Sequence, residues 1–132
     1  VEAERPPGLL VYRDGAPVGW CAIAPRVDYP TLERSRLLKR VDDEEVWSIT
    51  CFFVARAVRR QGVTSALIEA AVAFAAEHGA RIVEAYPIDP RTPDVPPVFA
   101  WTGLASVFQR AGFSEVARRS ETRPIMRLLI ET

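Results

Sequence analysis

Between Val46 and Tyr86 the chain reads VWSITCFFV, ARAVRRQGVT, SALIEAAVAFAAEHG and ARIVEAY in succession, an order that leaves few folds open. The first run is apolar or β-prone at nearly every position, on both alternating faces, as a central strand covered on both sides requires. After Gly62 the period changes. Val63, Ala66, Leu67, Ala70, Ala71, Phe74 and Ala75 recur at steps of three and four and predict one apolar stripe of a helix. Glu69 and Glu77 fall off that stripe, and Gly79 supplies a stop. A second apolar run, Ile82 to Tyr86, completes a βαβ unit over 46–86, with the right-handed crossover such units take.

The turn between strand and helix carries Arg59, Arg60, Gln61 and Gly62. The first amides of a helix have no partner inside it, and the aligned peptide dipoles leave partial positive charge there. Gly62 lets the backbone approach a ligand with no side chain in the way. Such a helix mouth accepts anions and suits a diphosphate. Each charge-assisted hydrogen bond there contributes about 1.5–3 kcal/mol. The plainer alternative is a glycine turn with two solvated arginines. Two other phosphate loops are excluded by inspection, since the turn has neither a Gly-Lys-Ser/Thr ending nor Gly-x-Gly-x-x-Gly.

The run Phe52-Phe53-Val54-Ala55-Arg56-Ala57-Val58-Arg59-Arg60-Gln61-Gly62-Val63-Thr64-Ser65-Ala66-Leu67 resembles the acetyl-CoA signature of the GNAT (GCN-related) N-acetyltransferases. The hallmark of that family is Arg/Gln-x-x-Gly-x-Gly/Ala, after a strand and opening a helix. Arg59, Gly62 and the spacing match. Thr64 stands where the family usually has Gly or Ala, and its hydroxyl is itself a donor for phosphate. The resemblance runs from about Gly8 to Ile130. It implies the GNAT-like acyl-CoA N-acyltransferase fold, an α/β (α+β) class with a mixed central sheet flanked by helices. It also implies acetyl-CoA as co-substrate, no metal, and cofactor contacts at Phe53, Val54, Arg59, Arg60, Gln61, Gly62, Val63, Thr64 and Ser65. In the family mechanism the central strand splays from its parallel neighbour to admit the pantetheine arm. Here that arm would pair with backbone around Phe53 and Val54, and an amide near Val54 would polarise the thioester carbonyl.

The segment Ala105 to Phe113 resembles a second landmark of the family, a helix ending Tyr-x-x-x-Gly-Phe. Gly112 and Phe113 match, but Phe108 occupies the tyrosine position and Trp101 stands where an asparagine is frequent. In the family that tyrosine often protonates the departing thiolate, and a phenyl ring has no proton to give. With a thiol pKa near 8.5, expelling a thiolate unassisted at neutral pH costs about 2 kcal/mol, or one to two powers of ten in rate. Ser106, Tyr86 or water could supply the proton instead. Glu84 and Tyr86 lie on the strand beside the expected opening and, with Ser106, make up the candidate catalytic set. The bland readings are a surface strand residue for Glu84 and a core tyrosine with a satisfied hydroxyl for Tyr86.

The remaining segments fit around this centre. The 132 residues, 48% of them hydrophobic, are enough for one core and predict a single domain over 1–132. Family domains usually open with a strand and two helices ahead of the first hairpin. VEAERPPG supplies neither, so the domain is expected to be N-terminally incomplete. Leu9 to Arg13 and Val18 to Ala24 read as strands joined at Asp14-Gly15, with Pro17 closing the turn. In residues 25–45, TLERSRLLKR predicts one short helix and Asp42 to Glu45 a solvated acidic loop, with Glu45 a further candidate carboxylate. Five prolines between Pro87 and Pro97 predict a stiff, extended loop. Leu104 to Arg110 reads as a short helix stopped by Gly112. Phe113 to Arg119 and Ile125 to Ile130 read as an antiparallel pair.

Seventeen basic residues against seventeen acidic ones leave no net field to favour nucleic acid or a membrane surface. No run approaches a membrane span and no secretory signal is visible, so a cytoplasmic location is expected. Cys21 and Cys51 fall inside predicted strands and read as small buried hydrophobes rather than a disulfide. His78, the one histidine, is explained by its place at a helix end and cannot alone make a zinc site or a Ser-His-Asp triad. Trp20, Trp47 and Trp101 read as core or pocket wall rather than a base-stacking platform. The resulting expectation is an N-acetyltransferase that moves acetyl from acetyl-CoA to an amine of a small molecule or protein. No nucleic acid or membrane partner is expected, and the edge strands are open to homodimer pairing. The alternative is a catalytically weak or inactive acyl-CoA-binding module of the same fold.

Overall fold

Asp14 and Gly15 both take positive φ, 53° and 82°, the geometry that a two-residue hairpin turn demands. The computed structural model, which describes residues 8–54, 63–89 and 105–130, builds its sheet outward from that hairpin. Strands β1 (Gly8–Arg13) and β2 (Ala16–Pro25) pair antiparallel, and β2 pairs antiparallel with β3 (Trp47–Val54). Pro17 does not close the turn, as its position suggests, but sits inside β2 opposite Tyr12, beside a register shift at Val11/Tyr12. At such an irregularity a missing N–H does little harm to the ladder.

The predicted βαβ unit is present. Helix α2 (Val63–Glu77) links β3 to β4 (Ile82–Ala85), and the two strands run parallel. A last hairpin, β5 (Ser114–Arg118) and β6 (Pro124–Leu129), inserts β6 against β4, giving the mixed order β1-β2-β3-β4-β6-β5. Helix α3 (Ala105–Arg110) precedes it, and the chain then turns at Gly112, whose φ is 100°. Among the described residues no helix is long and apolar enough to cross a membrane.

One face of the sheet is covered by α2 and α3. Ile23, Ile49, Phe52, Val83 and Met126 from the strands pack there against Leu67, Ile68, Ala71 and Phe108 from the helices. The buried stripe of α2 is rotated from the predicted one: Ile68 is buried while Ala66 is exposed, and Ala70 and Phe74 are half-buried. At about 100° per residue, Leu67, Ala71, Ala75 and Ile68 share one arc beginning at Val63, whereas Ala66 points to the far side. A spacing count that gives alanine and isoleucine equal weight does not see this. His78 closes the helix as expected, its Nδ1 2.9 Å from the carbonyl of Phe74 and its ring near Trp47. Both cysteines are free. Cys21 is fully buried and Cys51 half-buried.

The opposite face is covered by the segment between β2 and β3. A single 3-10 turn, Arg26–Asp28, leads into α1 (Pro30–Arg34). The helix expected from TLERSRLLKR ends after five residues because the Ser35 side chain takes over: its Oγ accepts from the amides of Leu37 and Leu38, each at 3.2 Å. Leu32 of α1 meets Tyr86 and Ile125 in a second, smaller cluster, with Tyr29, Leu38 and Val41 around it.

Candidate active site

The parallel ladder between β3 and β4 is short. Its paired positions are Trp47↔Val83, Ser48↔Glu84 and Ile49↔Ala85, and β3 then runs on to Val54 without a further β4 partner among the described residues. Two features of the sequence cause the parting. On the β2 side the register jumps from Ala22↔Cys51 to Ile23↔Ile49, so Thr50 is an extra residue that bends β3. On the other side β4 ends at Ala85, and Pro87, which lacks an N–H, cannot extend a ladder. A wedge therefore opens between the two strands just beyond Ile49 and Ala85.

On the α1 face, at the closed end of this wedge, lies a buried ionic network. Ser48, Glu84 and Arg127 form a row across β3, β4 and β6, with Ser48 and Arg127 each in register with Glu84. Glu84 is 1% exposed, so it is not a surface strand residue. Its Oε1 accepts from the Tyr86 hydroxyl at 2.6 Å and from Arg26 Nη1 at 3.2 Å, and its Oε2 accepts from Arg127 Nε at 2.7 Å. Arg26, itself 5% exposed, also gives Nη1 to the Tyr86 oxygen at 2.9 Å. Its Nη2 reaches Glu33 at 2.6 Å and the Leu38 carbonyl at 2.8 Å. Arg127 holds Asp42 through two parallel bonds of 2.8 and 2.9 Å. Asp42 is thus tied to the sheet, unlike the purely solvated loop residue expected from its acidic run.

The hydroxyl of Tyr86 has a full set of partners. Its one proton goes to Glu84, so Ser48 Oγ at 2.7 Å donates to it, as does Arg26. Burial, then the charge of Glu84, pushes the phenol well above the usual tyrosine range, so it stays protonated. Neither carboxylate oxygen of Glu84 lacks a donor. This arrangement resists proton exchange and fixes geometry: it ties β3, β4 and β6 to the covering segment where the strands part.

The other candidates are more dispersed. Ser106 is exposed on α3, whose buried residues Ala105 and Phe108 belong to the α2-side core, so it does not join Glu84 and Tyr86. Phe108 is fully buried between Phe52 and Phe113, with ring centroids 5.8 and 5.0 Å away. The backbones of Phe53 and Val54 pair with Trp20 and Gly19 of β2. Val63 opens α2 with its side chain in the core, while Thr64 is half-buried and Ser65 exposed in the first turn. Arg59, Arg60, Gln61 and Gly62 lie outside the described residues, as do Trp101 and the proline-rich stretch beyond Asp89. Glu45 lines a cavity of about 390 Å³ with Arg26, Arg40, Asp43, Glu44 and Trp47, at the end of β3 away from α2's first turn. Among the described residues no three potential metal ligands cluster.

Arg26, Ser48 and Arg127 belong to the site but were not singled out by motif. A signal was present: Glu84 in RIVEAY and Arg127 in PIMRLLI are lone, opposite charges inside apolar strands. Each needs a partner of the other sign if its strand is buried.

The acetyltransferase (GNAT) family model matches residues 1–95. No curated protein matches the chain. Among solved structures, a GNAT-family protein from Desulfovibrio desulfuricans is similar, with TM-score 0.60 and 20% identity, over 91% of this chain and 65% of that one. A GCN5-related N-acetyltransferase from Kribbella flavida matches with TM-score 0.57 and 19% identity, over 89% and 62%. Ard1 from Thermoplasma volcanium matches with TM-score 0.59 and 20% identity, over 96% and 72%. The chain spans less than two thirds of the length of the first two relatives. At these identities the likeness establishes the fold.

Proposed function

Because this chain belongs to the GNAT acetyltransferase family, we propose that it transfers acetyl from acetyl-CoA to the nitrogen of an amine, on a small molecule or a protein. One observation carries the reading: β3 leaves β4 just beyond Ile49↔Ala85 while continuing toward the start of α2. A pantetheine arm lying in that wedge would run along the edge of β3 from Thr50 to Val54, which has no β4 partner among the described residues. Its diphosphate would then meet Arg59, Arg60, Gln61 and Gly62 and the first amides of α2, at Val63, Thr64 and Ser65. An amide near Val54 would stabilise the oxyanion as an unprotonated amine attacks the carbonyl.

In this reading Glu84 and Tyr86 are positioning residues that hold the strands at their parting point, because their hydrogen-bonding capacity is already used. Ser106, outside that network, is given no step. Acceptor contacts fall to residues 25–45, which cover the α1 face, and the charged cavity beside Trp47 is available to the body of the acceptor. A cytoplasmic location and a homodimer through an edge strand complete the proposal.

The test is calorimetry with acetyl-CoA, followed by thiol release across a panel of amines. Micromolar binding and amine-dependent release are expected. Gly62→Val should weaken binding far more than it lowers stability. Neutralising Arg59 and Arg60 together should weaken it and flatten its salt dependence. No heat with any acyl thioester would end the proposal. Burial of Phe108 at the family's tyrosine position favours one other reading, a module that binds acyl-CoA without turnover. Binding without thiol release from any acceptor would select it.

A further inference from the structure

Around the parting of β3 and β4, arginines are matched to acceptors. Arg26 and Arg127 share Glu84, and each has a second carboxylate, Glu33 for the one and Asp42 for the other. Between β5 and β6, Arg118 pairs with Glu115 and Asp89, and Arg119 donates to the carbonyls of Leu37, Lys39 and Arg40. Arg123 breaks the pattern. It precedes β6 directly, two residues before Ile125 of the cluster under α1. Its Nη2 donates to the Tyr86 carbonyl at 3.2 Å, and its Nε is buried with no acceptor. Among the described residues no carboxylate pairs with it and Nη1 makes no hydrogen bond, although the side chain is half-buried. Burial alone pushes the guanidinium below the usual arginine value. Holding one carbonyl does not call for a charge, since an amide side chain would do so without desolvating one. Tyr86 follows Ala85, the last residue of β4 in register with β3, so this unmatched cation stands beside the wedge on its β4 side.

We propose that Arg123 binds a carboxylate of the acceptor, so that the amine this protein acetylates belongs to a molecule that also carries a carboxylate. Nη1 and the second N–H of Nη2 present the planar fork that the two oxygens of a carboxylate match. The fork is held before the ligand arrives, which lowers the ordering cost of binding. One anchor is the Tyr86 carbonyl. The other is the turn itself: the Asp89 amide donates to the Thr122 carbonyl at 2.8 Å, and Arg118 Nη2 reaches Asp89 at 2.7 Å. An acceptor without a carboxylate leaves the desolvated cation unmatched, and a diamine brings a second positive charge toward it. Selectivity arises from that difference. A free amino acid and a peptide with an acidic side chain share this chemistry, and they differ in how the carboxylate is carried.

The inference rests on the acetyl-transfer reading, and one experiment separates the two. Thiol release from acetyl-CoA is followed for the full chain with L-methionine, L-phenylalanine and L-lysine, each beside its α-carboxamide. Alanyl peptide amides with an internal glutamate or glutamine form a further pair, and putrescine supplies an amine without a carboxylate. Wild type should favour the carboxylate member of the pair it turns over by about 10-fold or more in kcat/KM. Arg123→Gln, which keeps a donor for the Tyr86 carbonyl, should lower kcat/KM for that member about 10- to 100-fold, mainly through KM. The ratio within the pair should then fall to near one. Arg123→Lys should recover part of the preference as a point charge without the fork. A folding defect slows both members alike and does not move the ratio, and Arg118→Gln, which removes another charge of the same turn, should leave it as in wild type. Preference confined to the amino acids or to the peptide pair would support the role and identify the source of the carboxylate. A wild-type ratio near one, or a ratio that Arg123→Gln does not move, would overturn the role of Arg123 and leave the transfer standing. If wild type released no thiol with any of these acceptors, the transfer reading itself would fall, and this role with it.

Discussion

The two faces of the central sheet are built on opposite principles. Toward α2 and α3 the strands present Ile23, Ile49, Phe52, Val83 and Met126 to Leu67, Ile68, Ala71 and Phe108, with hardly a polar atom among them. Toward α1 the same strands present Ser48, Glu84, Tyr86 and Arg127 to Arg26. The first face gains free energy simply by leaving water, roughly 25 cal/mol per Å² of apolar surface. The second recovers through hydrogen bonds and charge pairing what its desolvation costs, and such clusters are often no more stable than an apolar replacement. A network of this kind at the wedge thus points to positioning rather than to stability as its use.

That contrast is most sharply tested at Glu84. Glu84→Ala leaves the buried Arg26 and the nearly buried Arg127 without their shared anion, and urea unfolding should show a loss of about 3–5 kcal/mol. Replacing the whole centre by Arg26→Met, Glu84→Leu and Arg127→Leu should restore stability to wild type or above while acetyl transfer is lost. If the triple variant proved as unstable as Glu84→Ala, the network would be a stabilising element after all. On the other face, Leu67→Ala should cost about 2–5 kcal/mol through a cavity under α2, with acetyl-CoA affinity little altered.

A pH experiment gives a smaller effect. Burial lifts the Cys21 thiol to about 12 and raises Tyr86 too, so both groups are more acidic in the unfolded chain than in the native one. Their contribution is complete below the unfolded thiol value, near 8.5, and is lost as pH climbs toward the native values. Stability measured by denaturant midpoint should therefore fall steadily above pH 9. Cys21→Ala should remove part of that slope, at the separate cost of a small cavity. A slope unchanged by the substitution would show that the thiol does not contribute to it.

The apolar face was the more legible in the sequence, because burial there writes itself as periodicity. The βαβ unit, the hairpin at Asp14-Gly15 and the terminal β pair all follow from runs and stops. Spacing alone is blind to side-chain size, as with Ile68 against Ala66, and to a side chain that competes for backbone bonds, as with Ser35 ending α1. The polar face was legible only in outline. Glu84 and Tyr86 could be chosen from their strand, but Arg26 and Arg127 lie 58 and 43 residues from Glu84 in the chain. Only the register of β6 on β4 and the path of the covering segment bring them together. Nothing local in the sequence encodes that register.

The weakest expected effect lies at the rim of the same network, where exposure should separate Asp42 and Glu33 from Glu84. Asp42 is 43% exposed and Glu33 49%, against 1% for Glu84. The hydrogen bonds from Arg127 hold Asp42 below the usual carboxylate range, and those from Arg26 do the same for Glu33. A carboxylate whose native pKa is depressed contributes stability above its unfolded value, near 3.9 for Asp and 4.3 for Glu, and loses it as pH falls through the native value. Stability should be flat from neutrality to about pH 5 and decline below about pH 4. Asp42→Asn should soften that decline, and high salt should blunt the difference because water already screens these pairs. At neutral pH the variant should lose far less than Glu84→Ala. Equal losses would mean that Arg127 depends on its exposed partner as much as on its buried one, and the distinction between centre and rim would fail.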